Sequence, residues 1–237
     1  MVTFTKDGTL LAVANEGEPN SYGLADSVDP EGSVSVINTR PLRTRGALRG
    51  NVEVTSRTIR FDEFDAGAPR ADEVPADVRI YGPEASVAQD LEPEYISIEE
   101  NGRTAWVSLQ ENNALARVDL RDGTVDRIVA LGFADHSLAG HGIDASDQGG
   151  TVDIATLPVK GMYQPDGIAA YEVGDEEYVV TADEGDARDW PGINPNGQEM
   201  ARAGGIADTV LIPQAAVNTQ LGRLNVTNKF PATTGAN

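Results

Sequence analysis

Acidic side chains recur at matching positions in three related stretches of this chain, and they are its clearest candidates for chemistry. Carboxylates follow an apolar run at Glu16 and Glu184, and a proline precedes a carboxylate at Glu94 and Asp166. Facing carboxylates repel one another unless a cation or shared protons neutralise them, and Ca²⁺ prefers hard oxygen ligands. We therefore expect these four carboxylates to lie on one face and to bind Ca²⁺. The alternative is that the Glu-Gly and Asp-Gly pairs only close turns.

Polar residues beside these carboxylates are predicted to contact a ligand: Asn15, Asp183, Asp186 and Arg188. Arg188 lies close to Trp190, so its guanidinium could bind an anion against an aromatic wall. A structural ion pair between Arg188 and a carboxylate, beneath a buried Trp190, is the alternative.

A Gly-rich loop holds both histidines of the chain, His136 and His141, together with a second acidic group, Asp144 and Asp147. The two aspartates resemble a calcium turn only loosely, because the spacing of an EF-hand loop is missing. The histidines do not have the helical spacing of a zinc pair. Asp144 and Asp147 are a second predicted metal site, and a surface loop without metal is the alternative.

Three copies of one strand, turn and strand pattern position these residues, over 4–18, 96–112 and 168–186. Self-similarity of this kind indicates a repeat architecture with function at equivalent ends of the repeats. The middle copy extends to four short strands separated by turns rich in Asn, Asp and Gly, at 95–98, 104–109, 114–120 and 125–131. Such a unit has the size of one propeller blade.

The predicted fold class is therefore all-β, and the chain is predicted to be part of a single β-propeller domain over 1–237. Blades are expected at about 1–61, 93–131 and 162–237. Insertions at 62–92 and 133–160 are expected to place loops and short helices (71–78 and 84–89) on one face. The residues predicted to pack between sheets are Ile96, Ile98, Val107, Val118, Ile168, Val179 and Val180.

Part of a propeller leaves open strand edges, which are templates for aggregation. We therefore expect the remaining blades to come from further chain or from a partner. The composition limits the partners: 38 Asp plus Glu against 18 Lys plus Arg give a net charge of -20. That charge repels phosphate backbones, so nucleic acid is not an expected partner. No apolar run approaches the roughly 20 residues of a membrane span, so no membrane insertion is expected.

The chain resembles the bacterial choice-of-anchor I family in five motifs: VANEGEP at 13–19, AQDLEPEYI at 88–96, WVSLQENNA at 106–114, GMYQPD at 161–166 and TADEGDARDW at 181–190. The resemblance implies a secreted or surface-attached β-propeller of the YVTN or phytase-like kind. Such proteins are labelled alkaline-phosphatase-like or related to a mesenchyme-specific cell surface glycoprotein. It also implies an extracellular or cell-surface location, although no signal or anchor is recognised within this sequence.

Two function classes stay open. The first is an extracellular or cell-surface binding or structural module with an acidic Ca²⁺-binding face, with surface-layer or envelope proteins as partners. The second is a Ca²⁺-dependent phosphoesterase, in which cations neutralise a phosphate and activate water. The first is favoured, because an enzyme of the second kind needs basic groups beside the acidic cluster. Only Arg188 and Arg202 lie near it in sequence. No catalytic residue is assigned.

Overall fold

The chain folds into a series of small antiparallel β-sheets. The computed structural model describes residues 1–43, 50–146, 150–190, 192, 199–206, 221, 223–227 and 229. Over these residues the regular structure is almost entirely strand, so the all-β prediction is confirmed. The helices in the described part of the chain are short 3-10 turns and two four-residue α-helices, α1 (Val87–Asp90) and α2 (Ala203–Ile206).

The first sheet has four strands in the order β1-β2-β3-β4. They are β1 (Val2–Phe4), β2 (Leu10–Asn15), β3 (Ser33–Asn38) and β4 (Thr55–Arg60). The β1–β2 turn is fixed by Asp7, whose Oδ1 accepts from the Thr5 hydroxyl at 2.8 Å and from Thr9 N at 3.0 Å. Gly8 follows at φ +66°, a conformation that glycine adopts without steric cost.

The second sheet repeats this order as β5-β6-β7-β8 and corresponds to the middle sequence copy. Its strands are β5 (Pro93–Ile98), β6 (Thr104–Leu109), β7 (Ala114–Asp119) and β8 (Thr124–Ala130). The four predicted strands are therefore confirmed. The β5–β6 turn forms as the sequence predicts, because Asn101 Oδ1 accepts from Arg103 N at 2.7 Å and Thr104 N at 2.9 Å.

The third repeat contributes two long strands, as the sequence predicts. They are β11 (Pro165–Val173) and β12 (Glu176–Asp183), which pair antiparallel. Shorter pairs flank them: β9 (Phe133–Asp135) with β10 (Lys160–Met162), and β13 (Met200–Arg202) with β14 (Asn225–Thr227). Strand β5 contacts β1 and β2 on one side and β11 on the other, so the three repeats lie side by side.

One backbone irregularity is shared by the second and third repeats. Strand β5 shifts register relative to β6 between Pro93 and Ile96, and β11 shifts relative to β12 between Pro165 and Ile168. The extra residues lie at Glu94 and Asp166 or directly beside them. A bulge redirects side chains locally, so the same device acts on both of these predicted site carboxylates.

The hydrophobic core lies between the first and second sheets. Ile96, Val107, Val118 and Ile168 are buried as predicted. Ile98 is half-buried against the core. The prediction for Val180 is wrong: its side chain is 53% exposed, because it points to the face of β11–β12 that no described sheet covers. Val179, on the other face, is half-buried.

The insertion after β4 packs onto this core. Phe61, Phe64, Val78 and Leu91 are buried and join the central cluster. The predicted helix over 71–78 is a single 3-10 turn at Ala71–Glu73, and the helix predicted over 84–89 begins later, at Val87. Ser86 caps it with a capping box, in which Gln89 is the second partner. The strands described here form no closed ring, so the propeller stays a prediction.

Candidate functional site

The first three predicted site carboxylates lie at strand ends that approach one another closely. Glu16 directly follows β2, while Glu94 and Asp166 are the second residues of β5 and β11. The backbone is tightly packed here: a Cβ on Gly32 would lie 2.0 Å from Leu91 O and 3.1 Å from Glu16 O. A side chain at this position would therefore separate the first sheet from the start of β5.

Glu94 interacts electrostatically with four other carboxylates in this region. Burial raises its pKa to about 7, and the negative charges of Glu111, Asp166, Glu16 and Asp186 add to the shift, in that order. One of its oxygens, Oε2, is buried without a hydrogen-bond partner among the described residues. The five carboxylates that share this region are called the carboxylate cluster: Glu16, Glu94, Glu111, Asp166 and Asp186.

Glu111 is the most deeply buried member of the carboxylate cluster, with 7% of its surface exposed. Burial raises its pKa to about 7, with Asp186 and Glu16 adding to the shift, while its own backbone N–H and Arg188 oppose it. Its Oε2 is also buried and has no hydrogen-bond partner in the described part of the chain. Burial likewise raises the pKa of Glu16, and Glu18 and Asp186 contribute.

Of the four predicted metal ligands, Glu184 lies outside the carboxylate cluster, and Glu111 and Asp186 belong to it instead. Glu184 is exposed and is not among the charges that shift the pKa of Glu94, Glu111 or Glu16. Asp186 is, and the residue between them, Gly185, has φ +80°. Gly17 has nearly the same φ, +79°, although there the carboxylate before the glycine, Glu16, joins the cluster. Asp183 is exposed at the end of β12.

Glu111 was missed as a site residue from the sequence. The only signal was its place in the repeat, because Gln110 and Glu111 follow β6 where Glu16 and Gly17 follow β2.

Asn15 is engaged within the first sheet: its Nδ2 donates to Ser33 Oγ at 3.2 Å and to Ser35 Oγ at 2.9 Å.

Arg188 is buried beside the cluster and is paired with the protein's own carboxylates. Its Nη1 lies 2.5 Å from Asp90 Oδ1, and its Nη2 lies 3.1 Å from Glu92 Oε1. The guanidinium carbon lies 4.6 Å from the centre of the Tyr81 ring. The structural ion pair is thus the interpretation that the geometry supports, with Tyr81 rather than Trp190 as the aromatic wall.

A second buried guanidinium shares the same ring. The guanidinium carbon of Arg79 lies 4.2 Å from the centre of the Tyr81 ring, and Arg79 also forms an ion pair with Glu199. The Tyr81 hydroxyl donates to Glu199 Oε2 at 2.8 Å. Arg79, Tyr81 and Glu199 thereby connect the insertion after β4 to the segment after β12.

Two adjacent asparagines organise the segments around the cluster. Asn112 Nδ2 donates to Arg79 O at 2.8 Å and to Asp90 O at 2.7 Å. Asn113 Oδ1 accepts from Tyr163 N at 2.9 Å and Gln164 N at 3.1 Å. Both side chains are buried. In the sequence this pair indicated only a turn, because local patterns do not reveal bonds to residues 22–51 positions away.

The second predicted metal site is only partly described. Asp144 Oδ2 accepts from Asp153 N at 3.2 Å, which stabilises the loop itself. Asp147 lies outside the described residues. Across the described chain, no group of three or more His, Cys, Asp or Glu side chains is arranged to hold a metal ion. Nor does that part of the chain include a helix long and apolar enough to cross a membrane.

The chain matches the family model described as the choice-of-anchor I domain over residues 1–236. It belongs to the choice-of-anchor I family. The resemblance seen in the five sequence motifs is thereby confirmed. Membership indicates a surface-associated module. Searches of curated proteins and of solved structures found no match for this choice-of-anchor I chain.

Proposed function

We propose that this choice-of-anchor I chain is an extracellular or cell-surface binding module whose carboxylate cluster takes up Ca²⁺. The observation that carries the proposal is Glu111, a carboxylate that is almost completely buried and has an oxygen without a hydrogen-bond partner in the described protein. Burying an unpaired charge is costly, so such a group either holds a proton or meets a cation. A pKa of about 7 leaves both outcomes open at neutral pH.

The rest of the cluster favours the cation. Glu94 also has a buried oxygen without a partner, and its pKa is raised first by burial and then by four neighbouring carboxylates. One divalent ion would relieve the repulsion among all of them. The side chains do not already surround one point as ligands. Ca²⁺ suits such a site because it accepts water and carbonyl oxygens at flexible geometry, so some carboxylates can act through its bound waters.

Binding is favoured over phosphoester hydrolysis by the state of Arg188. This guanidinium acts on the cluster, since its charge opposes the rise that burial causes in the pKa of Glu111. It is buried and paired with Asp90 and Glu92. A phosphate at the cluster would therefore lack a free arginine from this segment to neutralise it.

We propose that the first, second and third repeats are neighbouring blades of a β-propeller. The two outer faces support this, because each exposes a stripe of apolar residues: Val2 and Phe4 on the first repeat, Tyr171, Tyr178 and Val180 on the third. Further blades, from additional chain or from a surface-layer or envelope protein, would cover these faces.

Calcium binding is tested by melting the protein with Ca²⁺ and with a chelator, together with calorimetric titration. A ligand that binds only the native state at a hundredfold excess over its dissociation constant adds about 3 kcal/mol to the unfolding free energy. Glu111→Gln should remove most of this gain. Glu53→Gln is the matched control, because Glu53 is exposed and outside the cluster. Equal melting midpoints in Ca²⁺ and chelator would refute the proposal.

A further inference from the structure

A cavity of about 640 Å³ lies beside the β9–β10 pair, and no member of the carboxylate cluster lines it. Its volume is within the range of about 300–1,000 Å³ that is typical of sites for small organic molecules. Residues from β9, β10 and β14 form its walls. The second insertion and the segment containing β14 therefore create together a space that neither the repeats nor the proposed cation site explains.

The walls of this cavity combine apolar side chains with polar ones such as Gln164, Asn225 and Thr227. One aromatic ring and five aliphatic or thioether side chains line it: Phe133, Ile143, Val159, Met162, Leu224 and Val226. Apolar surface that is kept open in this way favours a ligand with an apolar body, because burying that body removes both surfaces from water. The polar side chains of the lining suit a ligand that carries a polar or charged group as well.

The charged groups at the cavity are balanced, unlike those of the chain as a whole. The sequence has 38 acidic residues against 18 Lys plus Arg and two His. At the cavity, one lysine, Lys160, is matched by one carboxylate, Asp77, and the imidazole of His136 adds a polar group. Among the described residues Lys160 has no ion-pair partner within salt-bridge distance. Its neighbour across the strand pair is Asp135, whose pKa is lowered by hydrogen bonds from Ser137 Oγ at 2.6 Å and Ser137 N at 2.9 Å, and also by the charge of Lys160.

The imidazole of His136 is held in place as part of the wall. Its Nδ1 donates to His141 O at 2.7 Å, and a Cβ on Gly161 would lie 2.9 Å from its Nε2. The ring therefore packs directly on the Gly161 backbone, which a larger residue would prevent. His141 provides only its main-chain carbonyl to this arrangement.

We propose that this cavity binds a small amphipathic anion, with the apolar body against the Phe133 and Val226 walls and the anionic group paired with Lys160. The ligand class is an aromatic or aliphatic molecule that ends in a carboxylate, sulfonate or similar group. This function is independent of Ca²⁺, because the cluster carboxylates do not line the cavity. It gives the surface-associated module a second binding site for a different kind of molecule.

The test uses two fluorescent probes that differ in charge but share an apolar body: anilinonaphthalene sulfonate and N-phenylnaphthylamine. The sulfonate should bind saturably at one site and more tightly than the uncharged probe. Lys160→Met keeps the aliphatic stem and removes the charge, so it should weaken sulfonate binding about fivefold. The matched control is Lys6→Met, since Lys6 pairs with Glu100 at the surface and is not at the cavity.

Two further variants locate the probe. Val226→Trp should block the cavity and abolish the site, whereas Val180→Asp alters the exposed face of β11–β12 and should remove only unsaturable background. Asp77→Asn should strengthen sulfonate binding. Circular dichroism checks that each variant is folded. The proposal is overturned if Lys160→Met and Lys6→Met bind the sulfonate equally, if Val226→Trp has no effect, or if the uncharged probe binds as tightly as the sulfonate.

Discussion

Arg188 and Asp90 form an ion pair in the interior of the protein, with Nη1 2.5 Å from Oδ1 and Nη2 2.7 Å from the Asp90 main-chain oxygen. Asp90 ends α1, and its carboxylate also accepts from Tyr81 N and Gly82 N. Arg188 follows the last strand of the third repeat. One pair of side chains thus joins the first insertion to the third repeat, next to the carboxylate cluster.

Removing the charge of Arg188 should be strongly destabilising. Arg188→Met leaves Asp90 and Glu92 buried without their partner, and breaking a buried pair in this way costs about 3–5 kcal/mol. Arg60→Met is the control, because Arg60 pairs with Glu31 at the surface and should cost at most about 1 kcal/mol. Urea unfolding measures both variants. Equal losses of stability would show that the interior pair has no special role.

The close approach at Gly32 predicts a steric effect. A methyl group there would lie 2.0 Å from Leu91 O and 2.5 Å from Pro93 Cδ, so backbone would have to move. Gly32→Ala should therefore lower the unfolding free energy by about 3 kcal/mol. At Gly50 a Cβ meets nothing within 4 Å, so Gly50→Ala should stay within about 0.5 kcal/mol of the parent. A well-tolerated Gly32→Ala would contradict the observed packing.

The cluster should make stability fall as the pH rises from about 5 to about 8. Glu111 has a pKa of about 7 in the folded protein against an ordinary value of 4.5. The folded state therefore binds more protons than the unfolded state in this window, and its stability is lost as the pH rises through the folded pKa. Glu111→Gln should flatten this part of the profile by about 1–2 kcal/mol, allowing for screening.

The pH prediction is checked by chemical denaturation without divalent cations at several pH values. Other carboxylates titrate over the same range, so the informative quantity is the difference between the parent and Glu111→Gln. Glu53→Gln should retain the parent profile. If Glu111→Gln retains it as well, Glu111 is not a titrating group of the cluster.

Local sequence patterns predicted the strands of the second sheet because their determinants are local. Asn101 and Gly102 form the turn between β5 and β6, and alternating apolar residues pack between sheets. Glu16 directly follows β2, and Glu94 and Asp166 lie near the starts of β5 and β11, the strand ends that the repeat comparison used. In these cases the information lies within a few residues of the element it specifies.

Contacts between distant segments could not be predicted. Glu111 enters the cluster through burial beneath other segments, and Asp186 rather than Glu184 is the member from the third repeat. The expected burial of Val180 failed for a related reason. Alternation gave its strand two apolar faces, and only the packing of neighbouring sheets decides which face is covered.

The uncovered face of β11–β12 leads to the last prediction. Tyr171 and Tyr178 stack at 5.5 Å between ring centroids, and both are about half exposed, as is Val180. Equivalent faces between the repeats are buried against neighbouring sheets, so this stripe should drive the 237-residue chain to associate. Val180→Lys places a charge in the stripe and should shift the protein towards monomer. Thr58→Lys, at an exposed position of β4, should not. Light scattering coupled to size-exclusion chromatography measures the mass of each protein over a wide concentration range. A folded parent chain that stays monomeric throughout would show that this face needs no further sheet to cover it.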